Sequence, residues 1–312
     1  MTRAFIFPGQ GSQASGMGKA LADASPAARA VFEEVDDALG QKLSALMWAG
    51  DPAELQLTAN AQPAILAVSI AALRVLEADG GIHLADKAAF VAGHSLGEYT
   101  ALVASGALEL TQAARLLRQR GDAMQAAVPA GEGAMAALLG LDFDAVVAVA
   151  AEAAQGLVCA AANDNAPGQV VVSGHVEAVA RAINLARLRG SRHAVLLPVS
   201  APFHCALMQP AADAMAAALA DTRLQAPFVA LVSNVTAAPV SDPDDIRRLL
   251  VEQVTATVRW RESVLAMVAA GVTGFVELGG KVLGPMGKRI APDAPVLSVA
   301  DMVGIEAALK EV

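Results

Sequence analysis

The sequence predicts an α/β protein in two parts, a large domain and a smaller one inserted into it. Two stretches carry that prediction. The first, Ala88-Ala89-Phe90-Val91-Ala92-Gly93-His94-Ser95-Leu96-Gly97-Glu98, reads as a short apolar strand, a glycine-flanked serine and the start of a helix. The second lies between about 130 and 198, where the predicted elements run β-α-β-β-α-β, the order of a ferredoxin-like unit. The large domain then comprises residues 1–129 and 199–312, and the insert 130–198.

Ala4-Phe5-Ile6-Phe7 is a buried strand with no signal-peptide hydrophobic region before it. Pro8-Gly9-Gln10-Gly11-Ser12-Gln13 ends it; the glycines permit an unusual backbone path, and two glutamines bring amides close to it. Such a loop is often only a turn, and the Gly-Lys-Ser/Thr of a phosphate loop is absent. Helices follow at about 17–39, 41–48 and 61–79, the last starting near Asn60 with Gln62 in its first turn. A serine on a sharp strand-to-helix turn is a nucleophile elbow, its hydroxyl raised above the sheet edge. Glycines two residues to either side are needed because strand and helix backbones come close there. Composition alone yields G-x-S-x-G about 0.1 times per chain, and an N-cap serine fits the same pattern. The strand before and the helix after, running to about Ser105, favour the nucleophile.

In the helix at about 111–127, Arg115 and Arg118 read as a solvated face. Arg120 lies two positions from Arg118 and cannot share its face, so one of the two points elsewhere. Pattern alone leaves open whether Arg120 meets a ligand.

The insert comprises strands at 134–139, 157–161, 169–173 and 194–197, with helices at Phe143–Gln155 and Val176–Arg189. Asn163-Asp164-Asn165-Ala166-Pro167-Gly168 reads as a hairpin turn. An inserted unit forms a cleft with its host, and clefts bind ligands. The chain then returns through Pro198 to Cys205, with His204 at the edge of a helix at about 205–220. A lone histidine there is often structural, yet it is the best candidate base for Ser95, because His94 should project away in an extended turn. A strand at 228–232 precedes Ser233-Asn234, with helices at 243–253 and 260–270. A strand at 274–277 opens into Leu278-Gly279-Gly280-Lys281, and a strand at 295–299 and a helix at 303–310 follow.

Hydrophobic residues make up 55% of the chain but aromatics only 4%, because alanine supplies much of the total. The mean hydropathy of +0.48 therefore need not imply a membrane. Apolar helical stretches are broken by charge, Gly or Pro before the roughly 18 residues a span requires. Cys159 and Cys205 are too few for a disulfide framework and suit a reducing cytoplasm. Five scattered histidines give no metal-ligand spacing. A net charge of −9 disfavours nucleic acid.

Several stretches together resemble the malonyl-CoA:acyl carrier protein transacylases over nearly the whole chain. They are Phe7-Pro8-Gly9-Gln10-Gly11-Ser12-Gln13 with Gly16-Met17-Gly18, the elbow, Arg120-Gly121 with Met124-Gln125, Asn165 to Val170, and Phe203-His204-Cys205 with Leu207-Met208. The resemblance implies an α/β-hydrolase-like large domain with a parallel sheet and a ferredoxin-like insert, without cofactor or metal, acting as a cytoplasmic monomer. It implies Ser95 as nucleophile, His204 as base oriented by a backbone carbonyl near Gln253, and the N–H groups of Gln10 and Leu96 as oxyanion hole. Arg120 matches the arginine that forks onto the malonyl carboxylate. Gln62, Met124, Asn165 and Phe203 match the substrate-binding positions, Phe203 in the malonyl-selecting form. Malonyl-CoA and acyl carrier protein are the implied partners. Such carriers are acidic, so docking should use local basic groups: Arg187, Arg189 and Arg192 on the insert, Lys281, Lys288 and Arg289 on the host. The chain departs from the family at Glu277 to Leu283, where a proline usually separates the two glycines, and no role is carried onto that loop.

Overall fold

The computed structural model describes residues 2–312. Its larger sheet has six strands in the order Val296–Val299, Gly274–Leu278, Arg3–Phe7, Ala88–Gly93, Leu231–Val232 and Pro239–Val240. All neighbours run parallel except the last pair, which is antiparallel. Along Arg3–Phe7, Phe5 and Phe7 face the larger hydrophobic core, while Ala4 and Ile6 face a second core with Trp260 and Phe275. Both faces of this sheet are covered, so its central strand is apolar throughout instead of alternating.

Thr58–Ala78 is the central helix of the larger core. By length and overall composition it could cross a membrane, although Pro63 and Arg74 interrupt its apolar run as expected. Its apolar window is 83% buried inside the fold, and burial on all sides is what a helix without a polar face requires.

The second sheet is wholly antiparallel, in the order Cys159–Ala166, Gln169–His175, Gly133–Leu139 and His193–Leu196. Helices Phe143–Ala154 and Val176–Leu188 pack on it through Val146, Val149, Val179 and Ala182, against Leu138, Val170 and Val172. The β-α-β-β-α-β order is thus present with a core of its own. This unit is tied to the large sheet's side: the Asp164 N–H donates to Val258 O at 2.9 Å, and Val258 N–H to Ala162 O at 2.8 Å. Arg261 also forks onto Asp164 at 2.8–3.1 Å.

Three local expectations change. Asn163, Asp164 and Asn165 are buried strand residues, not a turn; the ties to Val258 and Arg261 outweigh their turn preference, leaving Pro167-Gly168 to reverse the chain. The predicted helix at 17–39 is two, Lys19–Ala24 and Pro26–Leu39, because Pro26 starts a new helix at its first position. Leu283–Ile290 is a helix that Gly284, Pro285 and Gly287 concealed. Buried Glu277 supports it by accepting from the N–H groups of Val282, Leu283 and Gly284 at its N-terminus.

Candidate active site

The carboxyl ends of the parallel strands converge on one cleft of about 300 Å³, the usual ligand position in an open α/β sheet. Ser95 follows the Ala88–Gly93 strand directly. A Cβ on Gly93 would stand 1.8 Å from Gly97 C, and one on Gly97 would stand 2.3 Å from Phe7 O. Both glycines are therefore required for the helix Gly97–Ala104 to start so close to two strands. Ser95 has φ 53°, in the left-handed region that L-residues avoid. His204 shares that conformation at φ 58°. Strain of this kind collects at functional sites.

Ser95 Oγ lies 2.8 Å from His204 Nε2, and His204 Nδ1 lies 2.9 Å from the Gln253 carbonyl. A carbonyl only accepts, so Nδ1 carries the proton and Nε2 is left to accept from the serine hydroxyl. Burial, with the Arg120 charge adding to it, pushes the His204 pKa down to about 3, so the ring is a neutral base. His94 turns away from this pair, as expected. Its Nε2 lies 2.8 Å from Asn165 Oδ1, and its ring tilts against Trp260.

Arg120 is 1% exposed and points inward. Its Nη1 donates to Gln62 Oε1 at 2.8 Å, its Nη2 to Gln253 Oε1 at 2.9 Å and to Ser95 Oγ at 3.2 Å. Its guanidinium also stands 5.9 Å from the centre of the Tyr99 ring. No carboxylate pairs with it among the described residues, and its Nε has no partner. A buried guanidinium left so incomplete is ready to take an anion beside the serine. Arg118, read as part of a solvated face, is instead half-buried, while Arg115 is exposed.

The Ser95 N–H donates to Asn234 Oδ1 at 2.7 Å. The Gln10 and Leu96 N–H groups, both at the cleft, have no protein acceptor among the described residues. That leaves two donors for an oxyanion. Gln62, Met124, Asn165 and Phe203 also line the cleft. Gln62 is held by Thr58 and by Arg120, so it orients the guanidinium as much as it faces a ligand.

Sequence reasoning missed Asn234, the Gln253 side chain and Glu98. Glu98, in sequence only the residue that follows the elbow, is 2% exposed and accepts from Asn234 N–H at 2.8 Å and from Gln253 Nε2. Burial pushes its pKa up to about 7.

Residues 4–280 match the acyl transferase domain family. The chain is 45% identical over 309 residues to the malonyl CoA-acyl carrier protein transacylase of Bacillus subtilis, covering 98% of this chain and 96% of that one. The acyl-carrier-protein-S-malonyltransferase from Bartonella henselae superposes with a TM-score of 0.97 at 53% identity, covering 99% of each chain. A malonyl-transacylase solved in complex with its holo type II PKS acyl-carrier protein superposes with a TM-score of 0.96 at 41% identity, covering 100% of both. With its elbow, its histidine and its buried arginine in one cleft, this chain belongs to the malonyl-CoA:acyl carrier protein transacylase family of acyltransferases.

Proposed function

We propose that this enzyme moves a malonyl group from malonyl-CoA to the phosphopantetheine thiol of acyl carrier protein through an ester on Ser95. One observation carries the reading: the same Oγ is held by neutral His204 at 2.8 Å and by Arg120, a buried cation without a carboxylate partner, at 3.2 Å. Ser95 Oγ attacks the thioester carbonyl while its proton passes to His204 Nε2. The Gln10 and Leu96 N–H groups hold the oxyanion. Collapse breaks the C–S bond, and the departing CoA sulfur takes the proton from His204. In the second half the carrier thiol gives its proton to His204 and attacks the ester, and Ser95 regains that proton as it leaves.

Arg120 binds the free carboxylate of malonyl, with Gln62 and Gln253 keeping its fork in plane. Phe203 fills the space beside His204 where an α-branch would lie, and Met124 and Asn165 complete the acyl site. Segment 130–198 acts as the small domain that walls the cleft, and the enzyme works as a monomer. Of the basic candidates for the carrier, Arg189 pairs with Glu152, Lys281 with Asp301, and Arg289 reaches Gln169 and Pro167. Arg187 donates to Ala194 O. Exposed Arg192 and Lys288 are therefore the carrier's first contacts.

Intact mass after exposure to malonyl-CoA should show one malonyl group on the peptide carrying Ser95, discharged by holo carrier protein. Label persisting in Ser95→Ala overturns the assignment. Continuous CoA release without any carrier would mean that water, not a thiol, takes the acyl group.

A further inference from the structure

Ser95 sits in an unfavourable backbone conformation, and something must hold it there. Its N–H is held by Asn234 Oδ1 at 2.7 Å, and its C=O by Gln253 Nε2 at 2.9 Å. The two clamps come from separate parts of the chain, one after the strand Leu231–Val232 and one at the end of the helix Pro243–Gln253. Both converge on a single carboxylate. Glu98 Oε1 accepts from the Asn234 N–H at 2.8 Å, and Glu98 Oε2 accepts from Gln253 Nε2. Glu98 is 2% exposed, so water does not compete for these bonds.

The geometry points to Glu98 as a positioning residue for acyl transfer, one that fixes Asn234 and Gln253 and through them both peptide groups of Ser95. The inference rests on Ser95 being the nucleophile. Its physical basis is the polarity of an amide. Gln253 has one donor end and one acceptor end, and its side chain meets Ser95 O, Glu98 and Arg120 together. An ionised carboxylate can only accept, so it requires Nε2 to face Glu98 and the Ser95 carbonyl, leaving Oε1 for the Arg120 guanidinium. Were the amide reversed, Nε2 would meet the guanidinium donor to donor, and Oε1 would meet the Ser95 carbonyl acceptor to acceptor. The Glu98 backbone N–H itself donates to Ser95 O at 3.0 Å, while its carboxylate keeps the nucleophile, its base and the arginine in register through Asn234 and Gln253, without touching any of the three. A carboxylate at this depth is costly unless its lone pairs are used, and here they are used on the two residues that clamp the elbow.

Glu98→Gln tests this because it preserves volume and can still accept from Asn234, but it then presents a donor to Gln253 Nε2. Malonylation is followed by rapid-quench mass analysis at about pH 8, where the carboxyl is ionised. The expected result is kcat for acylation lowered about 30- to 100-fold, as a misplacement near 1 Å produces. KM for malonyl-CoA should stay within about threefold, because Arg120 keeps Gln62. In a Gln253→Leu background the same change should cost less than about threefold more, since the two act through one contact. Wild-type kcat in Glu98→Gln, or full multiplication of the two effects, overturns the inference. So does a parallel loss of kcat and KM with a lowered Tm, the signature of a merely structural role. Should Glu98→Gln not fold, Asn234→Ala must show the same loss of kcat at constant KM, and an unchanged kcat overturns the inference. Absence of malonyl from Ser95 in the wild-type arm would instead overturn the nucleophile assignment itself.

Discussion

The two walls of the cleft are built in opposite ways. On the large-sheet side the polar side chains around Ser95 Oγ are buried and held in a fixed arrangement: His204 on the Gln253 carbonyl, Arg120 on Gln62 and Gln253, Asn234 and Gln253 on Glu98. On the insert side the lining is Met135, Val171 and Leu197, with Asn163 and Asn165 between them. Chemistry that develops charge needs dipoles already in place, and those come only from the large domain. In the proposed reaction the insert would supply shape, water exclusion and a surface for the carrier. Substitutions on the two walls should therefore differ in kind as well as in size.

The largest effects belong to the large-sheet wall. Ser95→Ala and His204→Ala should each lower transfer by about 10³-fold or more, and the double variant should be hardly worse than either single. Steady-state transfer to holo carrier protein measures this; multiplicative losses would mean that the two do not act as a unit. On the opposite wall, Asn165→Ala should cost about tenfold or less and act chiefly on KM, because Asn165 is tied to His94 and not to the Ser95 hydroxyl. A loss as great as that of His204→Ala would place chemistry on the insert. Smaller still, charge reversal at Arg192 and Lys288 should raise KM for the carrier a few-fold, with KM for malonyl-CoA unchanged. Equal effects on both substrates, or none, would remove the basic contacts from the account.

The same wall makes opposed contributions to stability with pH. Burial holds the folded His204 pKa at about 3, below the ordinary value of 6.5. The unfolded chain binds the proton more readily in that window, so this contribution is full above about 6.5 and is lost as pH falls towards 3. Glu98 is shifted the other way, from 4.5 up to about 7, so its contribution is full below 4.5 and is lost as pH rises to about 7. Urea unfolding across pH should show His204→Ala with a flatter acid side and Glu98→Gln with a flatter approach to neutrality. Both variants tracking the wild-type slope would contradict these burial assignments.

The elbow was legible because its demands are local: a strand, two glycines that only a missing Cβ can satisfy, and a helix start within eleven residues. The insert was legible from its order of elements. Spacing showed only that Arg118 and Arg120 cannot share a face; the choice of Arg120 and its purpose came with the family resemblance. Asn234, Glu98 and the Gln253 amide left no local trace, since they meet over separations above 130 residues that only the sheet brings together. The strand through Asn163 to Asn165 and the helix Leu283–Ile290 were hidden for a related reason. Their residues favour turns, and side-chain partners override them: distant Arg261 for the one, and for the other Glu277, buried a few residues before the helix.

In the proposed reaction Arg120 selects the malonyl carboxylate instead of performing the chemistry. Breaking a buried ion pair by removing one partner costs roughly 3–5 kcal/mol. With acetyl in place, the buried guanidinium has no carboxylate to accept from it. The measurement is the ratio of kcat/KM for malonyl-CoA to that for acetyl-CoA in wild type, Arg120→Ala and Arg120→Lys. Arg120→Ala should lower the ratio by about 10²-fold or more, with acetyl transfer retained or improved. Arg120→Lys should restore only part of it, keeping the charge but losing the fork. An unchanged ratio in Arg120→Ala, with both substrates slowed alike, would contradict the claim and make Arg120 a support for Ser95 alone.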